Sequence, residues 1–176
     1  KNIYVYEPDV ILESINPLPS ILFKPLNRMN GKRFAGSIQR AINQLSFKDF
    51  VLFIDNDFLR GEYLPELLKP TCFIYYIRDL FNSQPYFKKH GLESEPSLAA
   101  KADFVVANSS FLAKYTSAFN GNSFDIGQGC DFSKFNPKGV YEKPRDLAQI
   151  NNPVIGYVGA VVDFRLDIAL VEQLAD

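Results

Sequence analysis

The side chains best suited to chemistry in this chain stand where apolar runs stop. "CFIYYI" (Cys72 to Ile77) runs directly into Arg78 and Asp79. "DFVVA" closes on Asn108 and Ser109, and "SFDI" on Gly127, Gln128 and Gly129, with Asp131 just beyond. "FVLFID" ends in Asp55, Asn56 and Asp57. A carboxylate placed like Asp79 can accept hydrogen bonds from ligand hydroxyls or assist proton transfer. It serves equally as half of an Arg–Asp surface pair or as a helix cap. Asn108 and Ser109 are good N-caps, and the same helix start presents backbone N–H groups to a phosphate or a sugar. Asp55, Asn56 and Asp57 read most simply as a turn, and the Gly127–Gly129 turn as a place where the backbone needs positive φ. His90, in "FKKHGLESE", is the sole imidazole. It titrates near neutrality when unperturbed, but a solvated loop histidine is the plainer reading. No Ser-His-Asp or Cys-His pattern supports a nucleophilic hydrolase.

Elements that must position these residues alternate along the chain. Strands are expected at Asn2–Tyr6, Phe50–Asp55, Cys72–Ile77, Asp103–Ala107 and Ser123–Ile126, with a further short one at "SILFK". The nearly all-apolar runs at Phe50, Cys72 and Asp103 predict strands buried on both faces. Apolar residues Phe34, Ala35, Ile38, Ala41, Ile42 and Leu45 recur at helical spacing, predicting a helix over Gly31–Leu45. Shorter helices are expected at "EYLPELLK", at Glu95–Ala102 with Pro96 in its first turn, and at Ser109–Phe119. Arg78–Ser94 reads as a long connection. Strands separated by helices imply an α/β fold with a parallel sheet and right-handed crossovers. The ligand edge of such a sheet is the carboxyl end of its strands. Residues Asn136 to Asn152 are polar and proline-rich, as in a linker. A new strand (Pro153–Ala160) and a new helix (Phe164–Asp176) follow.

Composition excludes several function classes. Among 176 residues, 19 basic and 20 acidic side chains leave a net charge of -1, so nothing advertises a nucleic-acid partner. No apolar stretch approaches the roughly 20 residues needed to span a bilayer. Two cysteines and one histidine make neither a zinc spacing nor a disulfide framework, so no metal site is expected. No signal peptide is read at the start, and a cytoplasmic setting is the default. Sixteen Phe and nine Tyr suit core packing, with some rings left to line a cleft.

The ordered pieces "ADFVVANSSFLAKY", "FDIGQGCDFSKFNP" and "PVIGYVGA" resemble the middle of family 4-like glycosyltransferases of the GT-B architecture. The matching residues are Asn108-Ser109, Gly129-Cys130-Asp131, Phe135-Asn136-Pro137 and Gly156 to Ala160. "YYIRDLF" is similar to the acceptor-side segment of such enzymes. The resemblance runs most clearly from about Phe73 to Asp176. It implies a Rossmann-like acceptor-side domain over residues 1–135, a linker over 136–152, and the first strand-helix unit of a donor-binding domain over 153–176. That last unit otherwise packs back on the first sheet. The family's Gly-rich opening is missing and its usual length is roughly double, so the resemblance implies a fragment.

The resemblance also assigns roles. Asp79 becomes the candidate catalytic residue. Arg78, Asp79, Asn108, Ser109 and Gln128 become acceptor-binding residues, and Gly159, Ala160 and Arg165 donor-binding ones. Where the family often carries a Lys-Gly pair for the donor diphosphate, this chain reads "FRLD", with Arg165 its only basic residue. The implied co-substrate is a nucleotide-diphosphate sugar, with no bound cofactor. The implied acceptor is a glycan, a small molecule or a lipid-linked sugar. A lipid-linked acceptor would bring peripheral contact with the inner face of a membrane, for which "FKPLNRMNGKRF" is the mildly basic candidate. Two other readings remain: a self-contained nucleotide- or ligand-binding α/β domain, and a non-catalytic domain that binds a glycan or a protein.

Overall fold

A computed structural model describes residues 3–150, 154–163 and 165–175. The chain divides into two compact units, Lys1–Cys130 and Asp131–Asp176. The first holds α1 (Ser20–Gln44), β1 (Val51–Asp55), α2 (Phe58–Gly61), α3 (Leu64–Leu68) and β2 (Cys72–Ile77). A 3-10 turn (Phe81–Ser83), α4 (Pro85–Lys101), β3 (Phe104–Ala107), α5 (Ser110–Thr116) and β4 (Ser123–Asp125) follow. The four strands form one all-parallel sheet in the order β1-β2-β3-β4. It is a Rossmann-like α/β arrangement, as the alternation of apolar runs and helical stripes predicts.

Spatial order equal to chain order has a direct consequence. Right-handed crossovers between successive parallel strands put every connecting helix on the same face. That face carries Ile54, Phe73, Tyr75, Ile77, Val105 and Ala107, all buried. The helices meet it closely. Tyr75 reaches Glu95 of α4, Tyr115 of α5 reaches the same carboxylate, and Gly61 of α2 lies against Ile54 and Leu98. The opposite face carries Val51, Phe53, Ile74, Tyr76, Phe104, Val106 and Phe124, none of them buried; Phe53 is 53% and Phe124 50% exposed. Burial on both faces, expected of these strands, is therefore found on one face alone.

Two helices are longer than the sequence pattern implies. α1 begins at Ser20, so "SILFK" is its first turn and not a strand, and α4 begins at Pro85, absorbing most of the expected connection. Each contains a proline, Pro25 or Pro96, which deprives the carbonyl four residues earlier of its partner. Those carbonyls belong to Ile21 and Leu92, 82% and 56% exposed, where water can replace the lost bond. Gly31, mid-helix in α1, lets the helix approach Tyr63: a Cβ there would stand 3.1 Å from the Tyr63 Cβ.

Ile3–Tyr6 is not a strand, and Asn2 lies outside the described residues. The segment pairs with none of the four strands, and Ile3 and Val5 are exposed. It is tied down through Tyr6 and Asp9 to Ser37 and Arg40 of α1. The Ser37 hydroxyl, with the Arg40 guanidinium, holds the Asp9 carboxyl down to about 2.

In the second unit, the expected strand at Pro153–Ala160 does not form over residues 154–160; Pro153 lies outside the described residues. A strand needs a neighbour for its backbone groups, and the sheet described here contains only β1 to β4. The expected helix over Phe164–Asp176 is shorter, α6 (Ile168–Ala175), and none of its residues is buried; Phe164 and Asp176 lie outside the described residues.

Candidate functional site

Three strand ends meet at the carboxyl edge of the sheet. Asn56 follows β1 with φ 57°, a left-handed conformation that Asn tolerates better than most residues. Its N–H donates to the Tyr76 carbonyl at 2.8 Å. Its side-chain Oδ1 accepts from the backbone N–H groups of Arg78 (2.9 Å) and Asp79 (3.3 Å), and its Nδ2 donates to the Asp79 carbonyl at 3.2 Å. From the other side, past β3, Asn108 Nδ2 donates to the Arg78 carbonyl at 3.0 Å. Two asparagines thus grip the Arg78-Asp79 backbone from both neighbouring strands. Their amides satisfy groups that the ended ladder leaves open and leave the Arg78 and Asp79 side chains exposed.

Beside this clamp lies a notch of about 270 Å³ lined by Asp55, Asn56, Asp57, Arg60, Arg78 and Phe81, among others. Arg78 Nε pairs with Asp55 Oδ1 at 3.1 Å, and Arg60 Nε with Asp57 Oδ2 at 2.6 Å. Each guanidinium is held through its Nε, which leaves terminal N–H groups for an oxygen-rich ligand. Among the described residues the Asp79 carboxylate has no hydrogen-bond or ion-pair partner, and Asp79 is not part of the notch wall.

The remaining sequence candidates separate. Ser109, not Asn108, is the N-cap of α5, accepting from the Leu112 N–H at 3.5 Å. Gln128 is exposed beyond β4, after Gly127, whose φ of 69° matches the positive φ expected there, although no regular turn forms over residues 127–129. Gly159, Ala160 and Arg165 belong to the second unit. The Tyr157 hydroxyl stands 2.6 Å from where a Cβ on Gly159 would lie and donates to the Ala160 carbonyl at 3.2 Å. The Arg165 N–H donates to the Val162 carbonyl. Asp131 accepts from the Ser133 hydroxyl and backbone, which hold its carboxyl below the ordinary carboxylate value.

His90 departs from the loop reading. It is buried in α4, stacked on Phe23 with ring centroids 3.7 Å apart, and its Nε2 lies 3.1 Å from the carbonyls of both Asn16 and Leu18. Two acceptors at one nitrogen require Nε2 to carry the proton. The histidine pins the chain before α1 onto α4.

Sequence reasoning missed Asn56, filed as part of a turn. The available signal was an asparagine at the end of an apolar run, one of the few residue types that takes positive φ there. It also missed Glu95, fully buried in α4. Its Oε1 accepts from the Tyr75 hydroxyl at 2.8 Å; its Oε2 accepts from Asn82 Nδ2 at 2.6 Å and the Tyr115 hydroxyl at 3.0 Å. Burial outweighs these three donors and raises the Glu95 carboxyl above its ordinary value. Burial also pushes the Tyr115 hydroxyl up to about 12 and Tyr75 higher still.

No group of three or more His, Cys, Asp or Glu that could hold a metal ion occurs among the described residues, and no described helix is long and apolar enough to cross a membrane. Compared with known proteins, the chain matches no family model, no curated protein and no solved structure.

Proposed function

We propose that this chain is the acceptor-side part of a glycosyltransferase that moves a sugar from a nucleotide-diphosphate donor to a glycan, lipid-linked or small-molecule acceptor. One observation carries the reading: Asn56 and Asn108 clamp the Arg78-Asp79 backbone at the carboxyl edge of a parallel sheet, where open α/β folds bind their ligands. The clamp presents Asp79, whose carboxylate has no partner among the described residues, next to Arg78, whose guanidinium is anchored on Asp55. In this reading Asp79 accepts a proton or hydrogen bond from the acceptor hydroxyl, and Arg78, Asn108, Ser109 and Gln128 orient the acceptor. Gly159, Ala160 and Arg165 belong to the donor side. Catalysis rests on positioning and on charge stabilisation of the departing diphosphate. Lys24, Arg28 and Lys32 recur every four residues on α1 beside Met29 and suit contact with an anionic membrane surface.

The test is donor-dependent release of nucleotide diphosphate by the natural gene product that carries this chain. Asp79→Asn should lower turnover with little change in donor binding. No release with any nucleotide-diphosphate sugar ends the proposal.

A second reading is a self-contained nucleotide- or ligand-binding α/β domain without transferase activity. It needs the last strand to join the first sheet, and no strand forms over residues 154–160. Release of nucleotide diphosphate would exclude it.

A further inference from the structure

A second cavity, of about 400 Å³, lies next to the strand-end notch and shares Asp57, Leu59, Arg60 and Phe87 with it. It is walled by the segment before α1, by α1 itself, by α2 and by the start of α4. Nothing in the resemblance or in the strand-end reading assigns it a role.

Three nearly buried asparagines line it, Asn16 and Asn30 at 6% and Asn27 at 5% exposure; the Asn30 amide is satisfied by the Glu13 backbone N–H and carbonyl. Both N–H groups of Asn27 are spent, on the Leu59 carbonyl and the Glu62 carboxylate at 2.9 Å each. Both partners can only accept, which fixes the amide orientation and leaves the Asn27 carbonyl oxygen without a bond. Asn16 donates through Nδ2 to the Tyr86 carbonyl, and its Oδ1 has no partner. One buried acceptor, Asn16 Oδ1, is therefore unpaired, and the Asn27 carbonyl oxygen has no bond to a described residue, so the site offers acceptors that a donor would complete. The rest of the wall fits the same demand. Glu13 and Asp57 add carboxylates, and the single cation, Arg60, is already paired with Asp57. Such a wall repels an anion and welcomes hydroxyl groups. Phe23, Tyr86 and Phe87 supply apolar ring surface, with Tyr86 edge-on to Phe87, suited to the C–H face of a ring.

We propose that this cavity binds a neutral, hydroxyl-rich ring, a pyranoside, through the Asn16 and Asn27 carbonyls and the Tyr86–Phe87 surface. The ring's role as the sugar of the acceptor rests on the transferase reading; its binding does not. The cavity adjoins the notch through Asp57, Leu59, Arg60 and Phe87, so a ring seated here can extend its remaining chain toward Arg78.

The experiment is saturation-transfer NMR of the protein with the methyl pyranosides of glucose, galactose, mannose and N-acetylglucosamine at millimolar concentration. Ring-proton saturation is expected for at least one of them. Two substitutions that spare the buried hydrogen bonds should weaken it: Tyr86→Ala, which removes an exposed ring, and Leu12→Trp, which fills the cavity. Each should cost on the order of tenfold in affinity, with the thermal melt confirming a folded protein. The inference falls if no methyl pyranoside gives ring-proton saturation. It falls equally if saturation is unchanged in both folded variants, or if only a charged amine such as glucosamine binds. Pyranoside binding without donor-dependent release would sink the transferase reading while this site stands. Release that is insensitive to both substitutions, with no pyranoside bound, would do the reverse.

Discussion

The two faces of the sheet have similar sequences and opposite fates. On the helical face, Tyr75, Ile77, Val105 and Ala107 are fully buried, and the core even encloses a carboxyl group, Glu95. On the other face, Phe53, Phe104 and Phe124 hold comparable apolar area with half of it in water. Residue type does not separate them; connection geometry does, because every crossover returns over the same side. The lesson is that an apolar run specifies a strand but not which of its faces receives a cover. Burial then decides chemistry, since the same hydroxyl or carboxyl titrates differently under helices and under water.

The sharpest way to break the contrast is at Glu95. Glu95→Ala leaves Asn82 Nδ2 and the hydroxyls of Tyr75 and Tyr115 without their acceptor and should cost about 3 kcal/mol, read from urea denaturation midpoints. Next comes Gly91→Ala on the same side. A Cβ there would meet Asn82 Oδ1 at 2.0 Å and the Phe58 ring at 2.7 Å, and overpacking of this kind should cost about 2 kcal/mol. Tyr75→Phe removes one hydrogen bond and keeps the ring, so about 1 kcal/mol is expected. On the open face, Phe53→Thr and Phe104→Thr should change stability by less than about 0.5 kcal/mol while reducing binding of a hydrophobic dye. A loss near that of Glu95→Ala would mean that this face is covered in solution.

The pH dependence sharpens the contrast further. Burial raises the folded-state pKa of Glu95 above its ordinary 4.5, so the folded protein holds that proton more tightly than the unfolded chain. This contribution is complete below about pH 4.5 and is lost as pH rises through the raised value. The exposed Asp9, lowered from 3.8 to about 2, acts in reverse: its contribution is present above 3.8 and fades as pH falls toward 2. Glu95→Gln removes only the first effect. The melting temperature of the variant minus that of the native protein should therefore rise with pH above 4.5. A difference that stays flat would show that Glu95 titrates normally.

The same contrast explains what was legible beforehand. β1 to β4 were readable because each is a short apolar run ended by polar or glycine residues. Ile3–Tyr6 and Val154–Ala160 carry the same local signal, but pairing is a property of two segments and no residue within either records a partner's absence. Pro96 misled for a related reason: a proline suits a helix's first turn, but it is also tolerated inside a helix where the carbonyl it strands is exposed, as at Leu92, and exposure is not written locally. At the site, Arg78, Asp79 and Asn108 were placed at the correct edge by strand ends alone. The clamp by Asn56 depends on the register between β1 and β2. The asparagine-lined cavity draws on four separate segments, so no spacing rule brings Asn16, Asn27 and Tyr86 together.

The strand order β1-β2-β3-β4 bears on how the chain is made as well as how it stands. A sheet in which each strand pairs with its predecessor needs no insertion between strands already joined. During synthesis each new strand emerges after its partner and, through right-handed crossovers, after the helix that will cover it. Assembly can proceed by accretion at one edge, one crossover closed at a time, although each closure joins residues about 20 to 30 positions apart and parallel pairing of this kind is slow. Chains halted after Ala107 should already protect Tyr75 from solvent, whereas chains halted before Cys72 should present β1 to proteases as an open strand.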